Sequence, residues 1–361
     1  MMNSFALFRL PYEKRCTLVV QTTGEPKEFL SCDALTGQQG FVMAPFAPSE
    51  KHPVLLIRAD RVEEMETPEK LEDLPQLGDF AQLGNFEQLG NFAQLGNFVP
   101  REKSALSDYH LDFSNFHAHL CDGSFQKLVL SRSIDILRTG AETPIQLFQR
   151  ACDHYPRMMI ALVYTPQSGL WLASTPEILL SGDGSRWQTI ALAGTMKYDD
   201  DLRWSDKNIQ EQRYVATYII HQLEQFTHDF TEEGPRTARA GHLAHLRSDF
   251  HFSLPDHTAI GALLQALHPT PAVCGLPKQD SFRYILQHEH HDRSYYSGFM
   301  GPLFLNGQTN LFVTLRCMQL FANGYRLYAG GGLLKDSVEE QEWQETETKL
   351  DTMRHIIYNN V

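Results

Sequence analysis

The chain has 361 residues, 42% of them hydrophobic, enough to bury one large core or two, and no apolar run approaches membrane-spanning length. With 31 Lys and Arg against 44 Asp and Glu, the formal net charge of −13 disfavours nucleic acid and anionic membrane as partners. Six cysteines without a CxxC pair, and an N-terminus lacking a basic-then-apolar leader, point to a reduced, soluble, cytoplasmic protein.

An N-terminal region over residues 1–75 runs into a six-residue unit repeated four times between Gln76 and Val99: QLGDFA, QLGNFE, QLGNFA, QLGNFV. Hexads also build parallel β-helices, but four coils ending in ordinary sequence would leave both ends open. The repeat therefore reads as a duplicated insertion or loop, with a partner-binding module as the competing reading.

Residues 101–361 alternate helical and strand-like stretches. Segments 127–130, 133–137, 158–164, 170–173 and 178–180 look like strand, and the turn Gln167-Ser168-Gly169 favours antiparallel pairing. An α+β architecture with large antiparallel sheets follows. Lys127 stands in an apolar strand, where burial would disfavour its charged form and suit it to act as a base; the plainer reading packs the stem and leaves the ammonium in water.

Ser174-Thr175-Pro176-Glu177 is ambiguous. Thr175 could cap a helix with Pro176 at its first position, yet 178–182 looks like strand, and an acid entering a buried strand could keep its proton. Segments 191–195, 269–275 and 297–301 are turns rich in small residues. A helix is expected over 204–226, its apolar stripe Val215, Ile219, Leu223 and Phe226 reaching back one turn to an inward Glu211. His242, His245, His288, His290 and His291 form no HExxH and join no CxxC, so they read as solvated or capping residues rather than zinc ligands.

The C-terminal stretch is the most informative. Ala329-Gly330-Gly331-Gly332-Leu333 would let backbone approach a small ligand closely. Ser337 with Glu340 reads as a capping box opening a helix that runs to about Asn359. Glu342, Glu345, Lys349, Met353 and Ile356 fall on one side of it, so two carboxylates face inward. Inward carboxylates need a partner, and oxygen donors alone suit Mg2+ better than zinc. The plainer alternative is a Glu345–Lys349 surface pair worth a few tenths of a kcal/mol.

Taken in order, KLVLSR (127–132), STPEILL (174–180), ALAGT (191–195), SDKNIQEQ (205–212), HLRSDF (245–250), LHPTPAVCGLP (267–277), RSYYSGFMG (293–301), TLRC (314–317) and AGGGLLKDS with EWQETETK (329–349) resemble the chorismate-utilising enzymes, which include isochorismate, salicylate, anthranilate and aminodeoxychorismate synthases. The resemblance implies one domain over 1–361, with two large antiparallel β-sheets packed face to face, helices outside and the active site between them, as in anthranilate synthase component I. It implies Mg2+ on Glu211 and Glu345, and substrate contacts from Gly194, Thr195, Ala272, Arg316, Gly330 and Lys349.

Lysine at position 127 resembles the water-using members, whereas the anthranilate type typically has glutamine there. Ala193 stands where the aminodeoxychorismate type has a nucleophilic lysine. The implied reaction is conversion of chorismate to isochorismate, with Lys127 as base for water attacking C2 and Glu177 as acid for the departing C4 hydroxyl. Salicylate synthase and an ammonia-using synthase subunit are the alternatives. No redox cofactor and no obligatory glutamine amidotransferase are expected. Two departures from the family pattern are Gln212, where a histidine usually follows the glutamate, and the short N-terminal region with its hexads.

Overall fold

The computed structural model describes residues 4–66, 95–100, 105–140, 142–199, 201–240, 243–254 and 257–359, so most of the hexad repeat lies outside the described residues. In chain order the elements are β1 Ser4–Arg9, β2 Arg15–Gln21, β3 Lys27–Phe29, β4 Gly40–Ala44, β5 Val54–Ile57, β6 Arg61–Glu66, α1 Ala105–Cys121, β7 Lys127–Leu137, α2 Pro144–His154, β8 Met159–Thr165, β9 Gly169–Thr175, β10 Ile178–Asp183 and β11 Arg186–Lys197. They continue with α3 Asp206–Leu223, β12 Phe230–Ala240, β13 Leu243–Ser253, α4 Ile260–Leu267, β14 Gly275–Leu276, α5 Lys278–His288, β15 Phe299–Leu303, β16 Gln308–Val313, β17 Cys317–Phe321, β18 Gly324–Leu333 and α6 Glu339–Tyr358.

Two nine-stranded sheets result, ordered β14-β7-β18-β17-β9-β8-β1-β2-β6 and β12-β13-β11-β10-β16-β15-β4-β5-β3. The N-terminal strands are woven into both, β1, β2 and β6 joining the first sheet and β3, β4 and β5 the second. Between the sheets lies a core of Phe8, Met159, Trp171, Phe41, Met43 and Met300. The outer face of the first sheet is covered by α2 and α6 through Phe148, Leu350, Met353 and Ile356. That of the second is covered by α3 and α4 through Val215, Ile219, Leu263 and Leu264. Strands buried on both faces lose the in-out alternation, which is why β8 reads MIALVYT.

Local sequence sets the helix starts. Thr143 and Gln146 make a reciprocal capping box for α2 with Pro144 at its first turn, and the Ser205 side chain accepts from Asn208 N to open α3. The capping box expected at Ser337 does not form. The first helical residue is Glu339, after Val338 as cap, so Ser337 sits one position too early; its hydroxyl turns back to accept from Leu334 N at 3.0 Å. Among the described residues no helix is long and apolar enough to cross a membrane.

Two links carry the chain from one sheet to the other side by side. Pro176-Glu177 joins β9 to β10, and Thr314-Leu315-Arg316 joins β16 to β17. Each is pinned to the other: Ser174 N donates to Arg316 O at 3.0 Å, Val313 N donates to Glu177 O at 2.9 Å, and Thr175 Oγ1 donates to Val313 O at 2.6 Å. Thr175 is therefore committed to a sheet crossover and not to a helix cap.

Candidate active site

The two crossovers open onto a cavity between the sheets. Glu177, Gly194, Thr195, Glu211, Ala272, Arg316, Gly330, Glu345 and Lys349 all line it, beside Tyr296 and Tyr328. Lys127 lies behind the wall, fully buried, with Nζ 3.0 Å from Glu211 Oε1. It is reached through the glycine run of β18: a Cβ on Gly332 would lie 2.1 Å from Glu211 Oε1 and 2.8 Å from Lys127 Cε. No side chain fits between that strand and the glutamate, so glycine is required there by space.

Glu177 is buried at its crossover. Desolvation pushes its pKa up to about 8 against the pull of Lys127, Arg316 and Lys349, so it holds a proton at neutral pH. Arg316, which lines the cavity, has φ of 45°, a left-handed conformation that costs a non-glycine residue on the order of 1 kcal/mol. Burial brings Arg316 down to about 10, still charged at neutral pH. Its Nη2 donates to His245 Nε2 at 2.6 Å, while Nη1 is buried with no hydrogen-bond partner.

His245 is neither solvated nor capping, contrary to the sequence reading. It is buried on β13 directly opposite Thr195. Since a carbonyl can only accept, His245 Nδ1 donates to Gly194 O at 3.0 Å, which leaves Nε2 as the acceptor for Arg316. Burial, then Arg316 and Lys349, lowers its pKa well below the usual value and keeps the ring neutral. Gly194 occupies a bulge between β11 and β13 with φ of 69°, where its Cβ would meet Asn208 at 3.1 Å.

The other histidines lie elsewhere. His288 bonds Tyr284 O, His290 pairs with Asp112, and His291 meets Ser131; His242 is outside the described residues. Gln212 is buried and turned from the cavity, donating to Ser248 Oγ at 2.8 Å.

The acidic donors form a set that needs a cation. Glu211 pairs with Lys127, Glu345 Oε1 with Lys349 at 2.6 Å, and Glu342 with Lys207. The Glu345–Lys349 pair is half-buried, and Lys349 also donates to Gly330 O at 2.8 Å, so it is part of the cavity wall and more than a solvated surface pair. Burial would lower Lys207, but Glu342, followed by Glu211 and Glu345, raises it instead, so all three carboxylates bear on one ammonium. Burial tends to raise Glu211, and Lys127 outweighs it and holds the carboxylate below its usual range.

Glu342, inward on α6, is not among the residues that the family resemblance assigns to the site. It is buried, burial and then Glu345 raise its pKa, and its Oε2 has no hydrogen-bond partner. A Cβ on Gly331 would lie 3.5 Å from that oxygen and 3.6 Å from Glu345 Oε1. An oxygen-only donor set with an orphaned buried carboxylate oxygen fits a hard divalent cation. As they stand, no three His, Cys, Asp or Glu among the described residues converge as a ligand set, and each of the three glutamates is paired with a lysine instead.

The family described as chorismate binding enzyme matches residues 59–358. Isochorismate synthase EntC of Escherichia coli strain K12 is 31% identical over 241 residues, which cover 64% of this chain and 62% of that protein, less than two thirds of its length. The structure of MenF, the menaquinone-specific isochorismate synthase from Escherichia coli, matches with a TM-score of 0.76 at 24% identity over 98% of this chain and 88% of that one. Anthranilate synthase component I from Streptococcus pneumoniae matches with a TM-score of 0.66 at 20% identity over 91% and 80%. The two structural likenesses establish the α+β double-sheet fold.

Glu177 gives the site a signature in stability. The folded protein keeps a proton there up to about pH 8 whereas the unfolded carboxyl releases it near 4.5, so the group favours folding fully below 4.5 and that contribution is lost as pH rises towards 8. Glu177→Gln removes the titration. In urea melts across this window the variant should gain on the wild type by up to about 1.4 kcal/mol per pH unit. Parallel stability profiles would show that the carboxyl titrates normally.

Proposed function

This chain belongs to the chorismate binding enzymes, and from that premise we propose that it converts chorismate to isochorismate, adding water at ring carbon C2 as the C4 hydroxyl leaves. The observation that carries the reading is one cavity offering a protonated buried acid, Glu177, with a buried lysine, Lys127, just behind its wall at Gly332 and two cations, Arg316 and Lys349, on its surface.

Lys127, the ammonium partner of Glu211 in the structure, would act once it has given up its proton: its free amine takes one from the attacking water, and Glu177 delivers one to the leaving hydroxyl, so no net proton is consumed. Arg316, with Nη1 free of partners, and Lys349 receive the substrate carboxylates. His245 keeps Arg316 oriented while adding no charge of its own. Ala193 lines the cavity beside Gly194 and offers no nucleophile, which fits direct attack by water better than a covalent route. Glu211 and Glu345 would hold Mg2+, with Glu342 supplying a further oxygen. When bound, the ion would serve as a Lewis-acidic anchor for a carboxylate and offset the acidic field of the site.

Incubating the pure protein with chorismate and Mg2+ should yield isochorismate with no pyruvate; accumulation of salicylate and pyruvate would overturn the isomerase reading. Lys127→Gln swaps an amine for an amide that cannot accept water's proton, and should cut kcat by about 10²–10⁴-fold while KM stays near that of the wild type. Unchanged turnover would remove Lys127 from the mechanism. Glu345→Ala should raise the Mg2+ concentration giving half-maximal rate by roughly tenfold or more, since even residues that only support metal ligands are worth that much. A titration superimposable on the wild type would exclude Glu345 as a ligand.

A further inference from the structure

Behind the wall of the cavity lies a buried ion pair that the proposed reaction does not use. Glu289 caps the C-terminal end of α5 and Arg293 follows it by one helical turn's spacing, both side chains almost wholly out of water. The two meet as a fork: Arg293 Nε donates to Glu289 Oε2 at 2.6 Å and Nη2 to Oε1 at 2.8 Å. The remaining N–H groups reach past the glutamate. Nη1 donates to Val273 O at 2.7 Å, and Nη2 also to Val129 O at 2.8 Å. Glu289 Oε1 in turn accepts from Ser131 N at 2.7 Å and Ser131 Oγ at 2.9 Å. Burial opposes both charges, and each partner outweighs it for the other, so Glu289 is held below its usual range and Arg293 above.

Both carbonyls belong to residues that line the active-site cavity. Val129 stands two residues after Lys127 on β7, so their side chains share one face of the strand. Val273 follows Ala272, also a lining residue, in the segment that leads into β14. That segment meets β7 through Val129 N, which donates to Cys274 O at 2.8 Å, and through the pairs Gly275–Leu128 and Leu276–Lys127. β14 is two residues long and stands at the edge of its sheet, so the guanidinium braces the segment where the ladder is short.

The geometry points to Arg293 as a positioning residue that sets the spacing between the strand carrying Lys127 and the segment carrying Ala272. For catalysis the inference rests on the function proposed above; for the wall itself it rests on the bonds alone. Buried ion pairs add little net stability, because desolvation offsets their attraction. What four directed bonds from one rigid plane supply is position. A displacement of about 1 Å in a reacting site can cost on the order of a hundredfold in rate.

Arg293→Lys keeps a charge opposite Glu289, but one ammonium cannot reproduce the planar fork to both carbonyls. The Val129 amide should then exchange in D2O about tenfold faster or more, while the amides of β8 keep their protection. Below the melting transition, kcat for isochorismate formation should fall by about tenfold or more. Glu289→Asp keeps both charges and draws the guanidinium back by one methylene, so it should show the same two changes in smaller measure, and it serves if the lysine variant does not fold. Ser131→Ala removes a bond to Glu289 and none to Arg293, so both readings should stay within about twofold of the wild type. Wild-type exchange at Val129 in both Arg293→Lys and Glu289→Asp overturns the inference whatever the chain catalyses. So does faster exchange with unchanged kcat, and so does a Ser131→Ala chain that matches Arg293→Lys. A wild-type chain that forms no isochorismate defeats the function proposed above, and the exchange result then decides the brace.

Discussion

Three glutamates and three lysines share a region that is half-buried at its rim and fully buried at Lys127, and much of the site's geometry follows from neutralising them. An unpaired charge moved out of water costs several kcal/mol, so Glu211, Glu342 and Glu345 can be buried only because Lys127, Lys207 and Lys349 come from three different elements to meet them. That demand explains the bare glycine backbone of β18, since only a strand without side chains lets Glu211 and Lys127 approach from behind it. Charge pairing of this kind keeps each buried carboxylate matched by a cation within the protein itself.

Glu177 follows the opposite rule. It also is buried, but no cation pairs with it closely enough to overcome desolvation, so it stays protonated. The difference between an ionised and a neutral carboxylic acid in one cavity is set by where the chain crosses between sheets: the link that carries Glu177 is bound to the link that carries Arg316, so the backbone from which each side chain springs is fixed relative to the other.

Much of this was legible in the residues. The apolar runs of β7, β8 and β9, the inward glutamates of α3 and α6, and the glycine run each left a local mark, and the ordered motifs placed them in one family. Features that depend on distant partners left less. Two strand segments were expected where β7 is one, because Ser131 and Arg132 look like an interruption; both are buried by bonds to Glu289 and Thr346, far along the chain. His245 looked like any solvated histidine. Its cross-strand register with Thr195 is the clue that would have found it, and register is not written in either strand alone. Ser337 had the right neighbours for a cap but stands one residue too early, an offset within the usual uncertainty of helix ends.

The division of the N-terminal strands between both sheets bears on how the molecule is made. β4 pairs with β15, joining Gly40 to Leu303, and β9 pairs with β17, joining Ala173 to Cys317, so neither sheet is complete until the ribosome has delivered most of the polypeptide. Such high contact order slows folding and leaves early strands with open edges in the nascent chain, where they need shielding from one another until their late partners emerge.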